Sequence, residues 1–234
     1  MPLLTLILGA KCLDGVALIA DTKMTGIEGT FLGHEDKISG ELRNVLFGFA
    51  GDGDMINIFR RYLVGDVIIL RDSSDNYTDE NLLIKLKEIM LMFKRARLGQ
   101  YFGLKVMVAR LFPDKKTADL HVVDSNANID KCLIHPWKII GSGGRKIDSI
   151  IQDEWDDNMN MKSFTRLSYC VIKYIEQKQP SGSVGVGHGE PTMRYLGYDA
   201  EEDAEPPEEH KNEFRNQLEE CLSNFNNKYA LSED

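Results

Sequence analysis

Cysteine, histidine and positive charge are scarce in this chain of 234 residues. The four cysteines, Cys12, Cys132, Cys170 and Cys221, are scattered and form no CxxC pair. That argues against a disulfide framework and a thiolate zinc site, and fits the reduced, mostly buried thiols of a cytoplasmic protein. The five histidines, His34, His121, His135, His188 and His210, show no metal-ligand spacing, so each reads as structural. Neither a metal nor a cofactor is expected. Lys and Arg number 28 against 37 Asp and Glu, a formal charge of −9, which argues against a nucleic-acid grip. No apolar run is long enough to span a bilayer. The N-terminal Met1-Pro2-Leu3-Leu4 has neither the charged start nor the cleavage signature of a signal peptide. No membrane role is expected.

Hydrophobic residues make up 42 %, enough for a sizeable core, and their spacing alternates between two periods. Leu4–Lys11 and Val16–Thr22 read as strands around the turn Leu13-Asp14-Gly15. The glycines from Gly26 to Gly33 read as a loop, followed by strands at Lys37–Ser39 and Val45–Ala50. After Asp52-Gly53-Asp54 the period becomes helical, with Met55, Ile58, Phe59 and Tyr62 on one face. A second helix from Thr78 carries Leu82, Leu86, Ile89 and Phe93, with Lys94, Arg95 and Arg97 at the end where the helix dipole favours cations. Strands return at Leu104–Leu111 and Ala118–Val123, turned at Pro113-Asp114. One more is expected from about Ile129 to Ile140, bent at His135-Pro136.

Gly141-Ser142-Gly143-Gly144 leads into a helix with Ile147, Ile150 and Ile151, then into another with Phe164, Leu167, Val171, Tyr174 and Ile175. Short strands follow at Val184–Gly187 and Thr192–Leu196. Two antiparallel sheets sandwiched between helix pairs would bury all these faces, which makes the class α+β. No linker is evident in residues 1–198. Residues 199–234 differ: Asp199, Glu201, Glu202, Asp203, Glu205, Glu208 and Glu209 around Pro206-Pro207 read as a solvated acidic linker. Phe214, Leu218, Cys221, Leu222 and Phe225 then mark an amphipathic helix, better suited to docking on the chain's own surface than on a partner.

The candidate chemistry lies near the N-terminus. Thr5 opens the first strand, Asp21 follows sixteen residues later, Lys37 sixteen after that, and Gly51 fourteen further on. A hydroxyl nucleophile needs a neighbouring base and a favourable field. As a first residue, Thr5 would carry its own base, because a free α-amine titrates near neutrality. Lys37 would favour alkoxide character, Asp21 would hold Lys37 charged and aimed, and the Gly51 N–H would donate to an oxyanion. Taken singly, each has a plainer reading: a strand-forming threonine, a surface ion pair, a turn glycine.

Together, and ungapped over forty-seven residues, the four resemble the catalytic β-type subunits of the proteasome, a family of N-terminal-nucleophile threonine hydrolases. The resemblance implies a four-layer α/β/β/α sandwich across residues 1–198. It also implies that Ser142 and Ser181 support the threonine. The rival reading of Gly141-Ser142-Gly143 is a phosphate-cradling loop, but no GK[ST] ending follows it. Met24, Glu35, Phe49 and Gly53 fall where the family shapes its specificity pocket; Phe49 would limit its depth and Glu35 would favour a basic group.

The chain departs from the pattern in three places. Lys178 stands where the family has an aspartate three residues before the second serine. Leu4 stands where self-processing members have glycine, and Leu6 and Ile7 replace common threonines. With no extra N-terminal helix or tyrosine-rich leader, the chain resembles a β-type subunit. The reading implied is a threonine endopeptidase on protein and peptide substrates after loss of residues 1–4. It would work in stacked rings with α-type subunits or its own copies. A non-catalytic structural subunit and a stand-alone amidase or peptide ligase are the alternatives.

Overall fold

The computed structural model describes residues 5–25, 31–51, 53–73, 79–96, 103–141, 144–178, 189–199 and 204–229. The apolar runs at the N-terminus form β1 (Leu6–Cys12) and β2 (Gly15–Ala20), a hairpin paired from Ile7↔Ala20 to Cys12↔Gly15. Every β2 residue is buried, as expected of a strand covered on both faces. A two-stranded ribbon of β3 (Lys23–Thr25) and β4 (Phe31–His34) follows. The glycine-rich stretch expected to be a loop therefore ends in a strand. Next come β5 (Ile38–Leu42) and β6 (Val45–Ala50), then α1 (Gly53–Ser73) and α2 (Asp79–Ala96). The chain continues through β7 (Lys105–Phe112), β8 (Thr117–Asp124), β9 (Ile129–Asp130) and β10 (Trp137–Gly141). Helices α3 (Gly144–Glu154) and α4 (Met161–Lys178) precede β11 (Thr192–Gly197). Helices α5 (Glu208–Asn216) and α6 (Leu218–Lys228) close the described chain.

Two antiparallel sheets result, a four-stranded β10-β1-β2-β11 and a five-stranded β5-β6-β7-β8-β9. The period-2 alternation of their side chains builds the layers. Ile7, Val16, Leu18, Leu46, Met107 and Leu120 meet between the sheets. Leu6, Leu8, Ala17 and Ile19 face α3 and α4 through Ile147, Ile151, Phe164 and Val171. Phe47, Phe49, Val106 and Val108 face α1 and α2 through Phe59, Leu63, Leu86 and Phe93. The architecture is the α+β sandwich read from the periodicity.

The expected strand from Ile129 to Ile140 is two strands in different sheets. β9 pairs with β8, and β10 pairs with β1. Between them Cys132 adopts a left-handed conformation (φ 48°), with its N–H donating to Asp130 Oδ1 at 2.9 Å. Leu133 and Ile134 turn outward at 83 % and 88 % exposure. The final helix is likewise divided, at Gln217. Both halves bury their apolar face on α4 through Phe214, Leu222 and Phe225. Within the acidic segment, Ala204 exchanges both backbone hydrogen bonds with Tyr195 at 2.8 and 3.0 Å, and Glu205 pairs with Lys211 at 2.7 Å. This part of the segment is tied to β11. The expected strand Val184–Gly187 lies outside the described residues.

Candidate active site

The antiparallel pairing brings the start of β1, the end of β2 and the end of β10 to one end of the four-stranded sheet. Asp21 is the first residue past β2. Its N–H donates to the Leu6 carbonyl at 3.0 Å, and its Oδ1 accepts the Leu6 N–H at 2.7 Å. The side chain is thereby aimed back at the strand that Thr5 leads into. Lys37 directly precedes β5 and is tied to β6 through its carbonyl, which accepts the Phe49 N–H at 2.9 Å. Its ammonium donates to the same Asp21 Oδ1 at 2.9 Å and to the Lys23 carbonyl at 2.7 Å. Thr5, Asp21 and Lys37 are all buried, at 5 %, 1 % and 4 % exposure.

Burial disfavours both charges of this pair. It pushes the Asp21 carboxyl up, against the attraction of Lys37 and the Leu6 N–H. It pulls Lys37 down, against the attraction of Asp21. Asp21 Oδ2 is buried without a hydrogen-bond partner among the described residues. Desolvating two ions is expensive, and a well-packed apolar pair would often be as stable. Such an arrangement supplies a fixed cation whose proton is held less tightly than usual, beside the first residue of β1. It can stabilise a developing alkoxide or pass a proton to it.

Two glycines set the walls of this end. Gly51 follows β6 with φ 141°, and a Cβ there would lie 2.9 Å from both the Gly103 carbonyl oxygen and Leu104 Cα. A side chain is excluded twice, by backbone angle and by space. Gly141 ends β10 opposite Leu6, with φ 111°, and a Cβ would come 1.6 Å from the Thr5 carbonyl oxygen. Gly141 is thus the residue that lets Thr5 sit where it does. The sequence signal for it was the glycine cluster at 141–144, which pointed instead to Ser142. Ser142 and Ser181 lie outside the described residues.

The expected pocket residues divide. Glu35 is half-buried; its N–H donates to the Thr22 carbonyl at 2.8 Å and its carboxylate lies 3.8 Å from Arg60. Arg60 also donates to the Asp36 carbonyl at 3.3 Å and lies 5.5 Å from the centroid of the Phe49 ring. The acidic wall expected at Glu35 is therefore partly neutralised by Arg60, a residue that nothing in the sequence pattern singled out. Phe49 is fully buried in the core beneath α1, against Phe47 and Phe59, and offers no surface of its own. Met24 pairs with Gly33 in the β3–β4 ribbon. Gly53 begins α1 with open space where a Cβ would stand.

Among the described residues no group of histidine, cysteine and carboxylate side chains could hold a metal ion. No described helix is long and apolar enough to cross a membrane. A family model described as "Proteasome subunit" matches residues 5–186. That span includes Thr5, Asp21, Lys37 and Gly51 and stops short of α5 and α6. No curated protein matches the chain.

Proposed function

The chain belongs to the proteasome subunit family, and from that premise we propose that it is a β-type threonine endopeptidase acting from a ring assembly in the cytoplasm. The observation that carries this reading is the buried Asp21–Lys37 pair, whose shared oxygen also accepts the Leu6 N–H, one residue from Thr5. A fold has little structural use for a charge pair at 1 % and 4 % exposure unless a neighbouring group needs the field.

In the proposed mechanism the active form begins at Thr5. Its α-amine removes the hydroxyl proton as Oγ1 attacks a peptide carbonyl. Lys37 stabilises the developing alkoxide, Asp21 holds Lys37 in place, and the Gly51 N–H donates to the oxyanion. The tetrahedral intermediate collapses as the α-ammonium returns its proton to the departing amine. The remaining ester is hydrolysed by water, which regenerates Thr5. Ser142 and Ser181 support the nucleophile, and Met24, Glu35 and Gly53 belong to the specificity pocket, while Phe49 acts only from the core, beneath Arg60. Ring partners are α-type subunits or further copies of the chain.

A second reading, the non-catalytic β-type subunit, draws on the departures from the family pattern. Lys178 replaces an aspartate and is exposed at the end of α4, its ammonium 5.6 Å from the Tyr174 ring centroid. Peptide turnover by the assembled protein, wild type against Thr5→Ala, separates the readings. The endopeptidase requires turnover that Thr5→Ala abolishes; no turnover from a correctly assembled wild type gives the structural subunit. A monomer that still cleaves a small amide would mark a stand-alone amidase.

A further inference from the structure

The groove between α4 and α6 holds a cavity of about 410 Å³. Its lining includes Arg166, Leu167 and Cys170 from α4, and Glu220, Cys221 and Phe225 from α6. Cys170 is fully buried and Cys221 half-buried. Four residues before each of them, Arg166 donates to Gln217 at 3.3 Å, and four after, the Tyr174 and Phe225 rings stand 5.7 Å apart, so the two cysteines face each other across the helix seam although fifty residues separate them in sequence. The plainer reading takes both as small apolar fillers of the helix interface. It does not account for one of the two sulfurs being half-exposed in the groove while the other is enclosed opposite it.

Cys221 is the half-buried sulfur, the one a small oxidant meets first, and Arg166 lines the same groove; Cys170 is enclosed beside it. The other two cysteines are inert by comparison: burial raises Cys12 strongly and pushes Cys132 up to about 11.

We propose that Cys170 and Cys221 are a redox pair that closes into a disulfide when the protein meets a peroxide, locking α6 onto α4. The Cys221 thiolate attacks the peroxide O–O bond and becomes a sulfenic acid, releasing hydroxide. The Cys170 sulfur then attacks the Cys221 sulfur and expels water. The net change is oxidation of two thiols to one disulfide and reduction of hydrogen peroxide to two waters. Thiols at ordinary cytoplasmic poise return the pair to its open form. The closed loop contains β11, the acidic segment, α5 and the first turn of α6, so cross-linking stabilises that region by restricting the unfolded chain.

The test uses the full chain, reduced and desalted, then exposed to hydrogen peroxide. Peptide mapping without reductant should find a Cys170–Cys221 linkage within one chain, a mass loss of two hydrogens, and Cys12 and Cys132 as thiols. The Tm should rise by roughly 5 °C or more and return on adding dithiothreitol. In Cys170→Ser, Cys221 should accumulate as sulfenic or sulfinic acid with no linkage. The proposal is overturned if wild-type Cys221 oxidises to sulfinic acid without cross-linking, if linkage occurs only between chains, or if all four thiols survive.

Discussion

Lys37 is held at 4 % exposure by one carboxylate oxygen and one backbone carbonyl. Truncating it leaves Asp21 buried with backbone N–H groups, that of Leu6 foremost, but no cation to meet its charge. In the proposed mechanism it also removes the cation from the transition state. Lys37→Ala is therefore expected to lose at least ~10²-fold in turnover, the scale seen when a preorganised charge partner is removed. Circular dichroism and assembly should stay those of wild type. Turnover near wild type would make the lysine structural and leave the amine of Thr5 to act alone. Much of this end was legible in the sequence, because Thr5, Asp21, Lys37 and Gly51 sit at strand ends whose spacing the apolar runs set. Gly141 showed only as one of a glycine cluster, and Arg60 not at all. Their roles arise from contacts across strands and layers, with Thr5 and with Glu35 and Phe49, that no local pattern encodes.

Among the elements, the helical faces were the clearest to read. Leu82, Leu86, Ile89 and Phe93 are all buried as their spacing predicts, whereas on α1 only Met55 and Phe59 of the expected face are buried and Ile58 and Tyr62 are exposed at 40 % and 49 %. The stretch from Ile129 to Ile140 misled because Cys132, Leu133 and Ile134 look like strand interior. In the fold, the left-handed backbone at Cys132 carries the chain out of one sheet, and pairing resumes at Trp137 in the other. The C-terminal pair adds an outer layer to α4, centred on Phe214 at 0 % exposure. Phe214→Ala should cost about 3–5 kcal/mol of unfolding free energy in urea titration. A loss under about 1 kcal/mol would mean that the helix pair contributes little to the core.

A separate expectation concerns β8. There His121 is buried beside Arg110 on β7 and faces Asp119 and Lys131, and burial and then Arg110 hold its pKa below the usual histidine value. Above about pH 6.5 it is neutral in both folded and unfolded chains. As pH falls below that value the unfolded chain takes up a proton that the folded one refuses. Stability drops until the folded pKa is passed, and then holds. The Tm of wild type should decline over that window more steeply than that of His121→Gln. Equal slopes would contradict the assignment.

For the whole molecule, the two sheets and their inner helix layers form a body that carries the site at one end, with α5 and α6 added outside α4. The family match covers that body from Thr5. An N-terminal threonine with a partly neutralised pocket wall would be a weakly selective nucleophile, and enclosure in a ring is the arrangement that would keep it from unintended substrates. The central claim is that the working chain starts at Thr5. Its most direct test is to treat the assembled, active protein with an electrophile that captures both the hydroxyl and the amine of an N-terminal threonine, and then to map the adduct by mass spectrometry. The adduct is expected on a peptide whose first residue is Thr5, with turnover lost in proportion to labelling. An active preparation whose chains still begin at Met1 or Pro2, and which carries no adduct at Thr5, would contradict it.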